Sequence, residues 1–176
     1  MNFSQRIKEA IAEVPDFPLP GISFKDITPL LLDSRLVQEL LDQMALNASS
    51  LQPDVIIGLE SRGFILGPAL AQRLGIAFIP LRKPGKLPRA VHSITYALEY
   101  GSTALELHQD DLPSGSRVLI HDDLLATGGT AQAATALLKR VDATLVGYDF
   151  IIELDYLQGR KNLEKGVPIH SMVRYS

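Results

Sequence analysis

Val118-Leu119-Ile120-His121-Asp122-Asp123-Leu124-Leu125-Ala126-Thr127-Gly128-Gly129-Thr130-Ala131 is the stretch on which the fold of this chain turns. A short apolar run, 117–120, has the length and content of a buried strand. Two carboxylates follow, then a Thr-Gly-Gly-Thr turn. Residues 130–141 next repeat apolar side chains at helical spacing (Ala131, Ala134, Leu137, Leu138, Val141). Strand, loop and helix in that order make half of a βαβ unit.

The same grammar extends in both directions. Residues 54–58 and 76–81 read as buried strands, and 143–154 as a final long one. Between them, 64–74 reads as a helix closed by Gly75, and 35–48 as a helix with Leu36, Val37, Leu40, Leu41 and Met44 on one stripe. Residues 1–14 read as an amphipathic helix and 16–29 as an extended, proline-punctuated loop. Residues 93–100 and 103–108 read as two strands joined at Gly101-Ser102. The tail from 155 reads as polar and irregular. Strands alternating with helices imply a central parallel sheet flanked by helices, an α/β fold.

Composition sets the outer bounds. The chain has 176 residues, enough for one domain with its own core. Apolar residues make up 46% and charged residues 21%, which argues against disorder or a coiled coil. There is no Cys, so thiol catalysis, disulfides and cysteine-held metals are excluded. A net charge of −3 argues against nucleic acid held by bulk positive charge. No apolar run approaches a membrane span, and none has the continuity of a signal peptide.

In a parallel sheet, ligands bind beyond the carboxyl ends of the strands. Three chemically loaded segments fall there: Glu60-Ser61-Arg62-Gly63, Arg82-Lys83-Pro84-Gly85-Lys86, and residues 122–130. In the last, Gly128 and Gly129 let backbone amides converge and a helix N-terminus adds positive partial charge, while Thr127 and Thr130 supply hydroxyls. Together with the Ala126 backbone they suit a monophosphate. Asp122 and Asp123 suit the vicinal hydroxyls of a ribose. A generic capped turn is the plainer alternative, since Asp and Thr also favour helix starts. The spacing matches neither a Walker A loop nor a Rossmann fingerprint. Arg82, Lys83, Lys86 and Arg89 form a basic run in a net-negative chain, which suits an anion, though a solvated surface loop would read the same.

The stretch around Asp122 resembles the phosphoribosyl-pyrophosphate motif of the type I phosphoribosyltransferase family, in the form carried by its adenine-specific branch. His121 departs from the pattern, which has an apolar residue there; it is either a strand-end residue or a neighbour of the acidic pair. Pro15-Asp-Phe-Pro18 and Pro20-Gly-Ile-Ser-Phe-Lys-Asp-Ile-Thr-Pro29 are similar to the family's base-site segment. Glu60-Ser-Arg-Gly-Phe64 is similar to its pyrophosphate loop, Arg82-Lys-Pro-Gly-Lys-Leu-Pro88 and Leu98-Glu-Tyr-Gly101 to the ends of its mobile loop, and Glu153-Leu154 with Leu157-Gln-Gly-Arg160 to its hood.

The resemblance implies a single domain over 1–176, with a hood from about 1–33 and 153–176 and a mobile loop over about 82–101. It implies an enzyme of purine salvage that transfers phosphoribose from phosphoribosyl pyrophosphate to adenine, with magnesium (Mg2+), as a cytoplasmic homodimer. By the same carry-over, Arg62, Lys83 and Lys86 face the pyrophosphate and Arg82 reaches the partner's site. Glu99 moves a proton at the purine and Tyr100 helps close the loop. Phe24 stacks on adenine, Leu157 covers its other face, and backbone groups at Ser23 and Lys25 read its edge, the Lys25 side chain being left to solvent. Metal is expected to be held mainly by substrate, with Asp122 and Asp123 acting indirectly.

Two rival functions share the motif. A phosphoribosyltransferase for another purine base would keep residues 122–130 but is disfavoured by the base-site and Leu-Glu-Tyr-Gly segments. A non-catalytic sensor of phosphoribosyl pyrophosphate would carry an added DNA-binding domain or a decayed loop, whereas this chain keeps its basic loop and Glu99.

Overall fold

The structure is a computed structural model that describes residues 2–97 and 102–176. Its centre is a five-stranded sheet of β3 (Val55–Leu59), β4 (Ala77–Leu81), β7 (Arg117–Leu125), β8 (Thr144–Leu154) and β9 (Ile169–Tyr175), in the order β4-β3-β7-β8-β9. Every pair in it is parallel. β3 is fully buried along its length, as its unbroken Val-Ile-Ile-Gly-Leu sequence requires of a strand covered on both faces.

The connections explain where the helices lie. From β3 the chain moves outward to β4 through α3 (Gly63–Leu74); from β7 it moves the other way to β8 through α4 (Gly129–Arg140). Right-handed crossovers leaving in opposite directions put α3 and α4 on opposite faces. The buried side chains accordingly form two clusters. One joins α4 to the sheet and to the ribbon of β5 (Val91–Ala97) and β6 (Ser102–His108). The other joins α1 (Phe3–Ala10), α2 (Ser34–Ser49) and α3 to the opposite face. α2 starts where Asp33 accepts from the amides of Arg35 and Leu36, and it buries Leu36, Leu40, Leu41, Met44 and Ala48. Truncating a fully buried Leu40 or Met44 to Ala would cost about 2–5 kcal/mol.

Four readings of the sequence are corrected. The first helix ends at Ala10, because Ile11 turns extended and Ala12–Pro15 forms β1 instead of continuing to residue 14. Its partner β2 (Ser23–Asp26) lies inside the segment read as a loop, pairing Glu13 with Lys25 and Val14 with Phe24. β7 runs five residues past Ile120, because β8 offers it backbone partners as far as Leu125 opposite Glu153. The acidic pair therefore sits in a strand and not in a loop. Finally, the polar tail supplies β9; its one-sided burial (only Val173 is fully buried) is the pattern of an edge strand. Of the expected hood, then, residues 169–175 belong to the main sheet. The stretch from Asp155 to Asn162, two short 3-10 turns, lies against the loop that follows β7.

Candidate functional site

The point where the connections diverge lies between β3 and β7, and such a switch point is where open parallel sheets bind ligands. β3 ends into Glu60–Gly63, and β7 ends in the acidic pair. The two segments touch closely: a Cβ on Gly63 would come within 2.7 Å of the His121 carbonyl oxygen and 3.3 Å of Asp122 Oδ1. The Arg62 guanidinium crosses the gap, with Nε 3.1 Å from Asp123 Oδ2. Asp122 Oδ1 accepts from the Asp123 amide at 2.9 Å. Burial first, then the adjacent Asp123 charge, pushes the Asp122 carboxyl well above the usual carboxylate range. Burial raises Asp123 as well, against the pull of Arg62. A buried Asp123 and a half-buried Asp122 share one nearby guanidinium, so the pair can accept hydrogen bonds from hydroxyls or bind a cation.

Immediately after β7, Thr127–Thr130 turns into α4. Gly128 has φ +82, and no side chain caps the helix, so its first amides are left to a ligand. The turn is braced from behind. Asn162 Nδ2 donates to the Thr127 carbonyl at 2.8 Å. A Cβ on Gly159 would lie 2.1 Å from the Ala126 carbonyl oxygen, so only glycine lets the two loops meet.

Beside the turn is a cavity of about 330 Å3, in the range of small-molecule sites, walled by Phe24, Leu124, Ala126, Leu154, Tyr156 and Leu157 with Ser23 and Lys25 at its edge. Phe17 packs edge-on to Phe24, ring centres 5.2 Å apart. The Arg62 guanidinium lies 4.8 Å from the centre of the Phe24 ring. Thr127 lines both the cavity and the turn, and Arg62 joins Phe24 to Asp123, so the apolar slot, the acidic pair and the anion cradle are contiguous. A second cavity of about 320 Å3 lies behind α4, but its Thr135, Tyr148 and Glu164 already bond one another.

Comparison with known proteins bears directly on this arrangement. The family model for the phosphoribosyl transferase domain matches residues 26–167. An adenine phosphoribosyltransferase of Synechococcus is 52% identical over 169 residues, 96% of this chain and 98% of its own length. The chain belongs to the adenine phosphoribosyltransferase family. Solved members agree in fold: the Thermoanaerobacter pseudethanolicus protein superposes with a TM-score of 0.94 at 44% identity, over 98% of this chain and 99% of its own. The Saccharomyces cerevisiae protein, solved with adenine and an imino-altritol bisphosphate, gives 0.92 at 42%, over 97% and 98%.

Against that family's loops, the remaining expected residues fall as follows. Arg82 pairs with Glu60: its Nε is 3.0 Å from Glu60 Oε2, and its guanidinium lies 5.6 Å from the Phe64 ring centre. Burial would raise the Glu60 carboxyl, but the Lys83 amide and Arg82 outweigh it and hold it below the usual range. The Gly85 amide donates to Glu106 at 3.0 Å. These contacts fix the start of the basic loop and leave the Lys83 and Lys86 side chains exposed. Arg89 turns away to Asp111 and His108. Glu99 and Tyr100 lie outside the described residues.

One expectation for a side chain is revised, and the contacts of His121 decide between the two readings left open for it. Lys25 is buried, not solvated: its Nζ is 2.7 Å from Glu13, its cross-strand partner, and 4.4 Å from the Tyr175 ring centre. His121 is fully buried and bonds Asp149 Oδ2 at 2.8 Å, its register partner on β8, and not the acidic pair. Sequence reasoning missed Tyr156, Gly159 and Asn162 as walls and braces, and Glu60 as the clamp on Arg82. Only the family-like Glu60-Ser-Arg-Gly and Leu-Gln-Gly-Arg segments hinted at them.

Proposed function

We propose that the chain transfers the 5-phosphoribosyl group from phosphoribosyl pyrophosphate to adenine, giving AMP and pyrophosphate. The observation that carries this reading is the contiguity of a Phe24-walled slot, a carboxylate pair beside Arg62 and an uncapped helix N-terminus at the sheet's switch point. In the reaction the bond from the anomeric carbon to the pyrophosphate oxygen breaks, a bond to adenine N9 forms, and the N9 proton leaves. Positive charge builds on the sugar and negative charge on the leaving group, so the protein's task is to position and to stabilise.

The backbone of Ala126, Gly128 and Gly129 and the hydroxyls of Thr127 and Thr130 take the 5-phosphate. Asp122 and Asp123 accept the ribose hydroxyls. Arg62, Lys83 and Lys86 receive the pyrophosphate, with Arg82 held behind them by Glu60. Adenine stacks on Phe24 under Leu157, and backbone groups at Ser23 and Lys25 meet its amine and ring nitrogen. A 6-oxo purine would leave those groups mispaired, at about 1–3 kcal/mol for each buried bond lost. Glu99 exchanges the purine proton and Tyr100 assists closure, which keeps water from the activated sugar.

The donor set fits magnesium held mainly by substrate. Two hard carboxylates stand side by side in β7, and burial raises both with only partial offset from the Arg62 guanidinium 3.1 Å from Asp123 Oδ2, so a hydrated cation beside them would be stabilised. Asp122 and Asp123 would hold the hydrated ion indirectly, and it would neutralise charge on the leaving pyrophosphate.

The whole chain acts as one domain, the segments around 1–33 and 155–162 covering the base. The same proposal includes a cytoplasmic homodimer. No described helix is long and apolar enough to cross a membrane, and the charged sugar phosphate does not cross one unaided. Arg82 serves the partner only if it exchanges Glu60 for the neighbour's ligand. The test is a panel of bases with phosphoribosyl pyrophosphate: AMP must form from adenine, and turnover of guanine or hypoxanthine in its place rejects the proposal.

A further inference from the structure

Tyr96 lies on β5, outside every residue assigned to the site above. Its ring is half-buried and packs on the cluster that seats α4 against the sheet. Its hydroxyl points at the cradle, with Oη 3.4 Å from Thr130 Oγ1. The far end of α4 is tied to the same strand, where Arg140 Nη1 donates to the Ser93 carbonyl at 3.2 Å. β5 is therefore laid along the helix and fixed at both ends, so packing sets where the phenol sits.

The chemistry of the pair follows from counting protons. A threonine hydroxyl has one proton and two lone pairs. A phosphate oxygen at the turn is an acceptor, so Thr130 binds it only by giving up its single proton. The lone pair left facing β5 then needs a donor, and Tyr96 is placed to be that donor. At 3.4 Å the contact is longer than an ordinary O–H···O bond of about 2.7–2.8 Å.

We propose that Tyr96 is a positioning residue for the 5-phosphate: by donating to Thr130 Oγ1 it turns the threonine proton toward the phosphate. The proposal rests on the reading of Thr127–Thr130 as the phosphate cradle. It also gives the ribbon a direct link to cradle occupancy, since β5 carries the donor.

The test uses the full chain as wild type, Tyr96→Phe, Thr130→Val, Thr130→Ser and the Tyr96→Phe/Thr130→Val and Tyr96→Phe/Thr130→Ser double variants. Inhibition by ribose 5-phosphate and by pyrophosphate is measured against phosphoribosyl pyrophosphate, with melting temperatures alongside. Tyr96→Phe is expected to weaken ribose 5-phosphate by roughly two- to tenfold, the worth of one hydrogen bond, with pyrophosphate and melting temperature nearly unchanged. The effect should persist in Thr130→Ser and vanish in Thr130→Val, the signature of coupling through one hydroxyl. An unchanged ribose 5-phosphate constant in Tyr96→Phe, an equal loss of both ligands, or the same loss in the Thr130→Val background overturns the role of Tyr96. A Thr130→Val variant that binds ribose 5-phosphate normally overturns the cradle itself, and the proposal with it.

Discussion

Asp122 illustrates how function and stability pull apart at a single side chain. Its folded-state carboxyl is raised by burial and by Asp123. The unfolded chain therefore releases that proton at lower pH than the folded one. Stability is intact below the ordinary carboxylate range, falls as pH rises through the window up to the raised value, and stays reduced above it. Asp122→Asn removes the penalty. It should melt on the order of a few degrees higher at pH 7, the gain disappearing in acid, while its affinity for phosphoribosyl pyrophosphate drops. Thermal melts across pH check the sign; a variant less stable at pH 7 would contradict it. Asp123→Asn should weaken phosphoribosyl pyrophosphate much more than adenine in equilibrium titrations, because the proposed function sets this acid against the sugar and the base against Phe24. Equal loss of both ligands, or of neither, would remove the diol role.

At the scale of elements, the proposed phosphate cradle depends on a loop that comes some thirty residues after it. Gly159→Ala forces a methyl group into the Ala126 carbonyl, and Asn162→Ala removes the bond to Thr127. Both should raise the KM for phosphoribosyl pyrophosphate, the glycine variant more severely and with a clear loss of thermal stability. An Asn162→Ala variant with wild-type KM would mean that the turn holds its shape alone. The same dependence explains what the sequence could and could not disclose. Asp122, Asp123 and Thr127–Thr130 were legible because their chemistry is local: adjacent carboxylates, adjacent glycines, a helix start. Gly159, Asn162 and Glu60 were not, since their partners lie 33, 35 and 22 residues away. β9 was hidden because an edge strand buries too little to write a strong apolar pattern. The extra length of β7 was hidden because β8, and not its own composition, extends it. Lys25 looked solvated only while its cross-strand Glu13 and the tail's Tyr175 were out of view.

For the whole molecule, the parallel sheet brings its chemistry to one place by topology. β3 and β7 are neighbours whose connections diverge, so Arg62 and Asp123 meet although they are 61 positions apart in the chain. The hairpin of β1 and β2 brings Phe24 over the same gap from one side, and Tyr156 and Leu157 bring the apolar wall from the other. The apolar slot, the acidic pair and the start of α4 thus adjoin one another at the switch point of the sheet, and the proposed function assigns them to the purine, the ribose and the phosphate. The claim that this surface makes AMP is tested most directly by following pyrophosphate release with adenine, guanine, hypoxanthine and xanthine in turn, at saturating phosphoribosyl pyrophosphate and magnesium. Turnover with adenine, and little with the 6-oxo bases, is the predicted result. Turnover of a 6-oxo base in preference to adenine, or none with any base, would contradict the account.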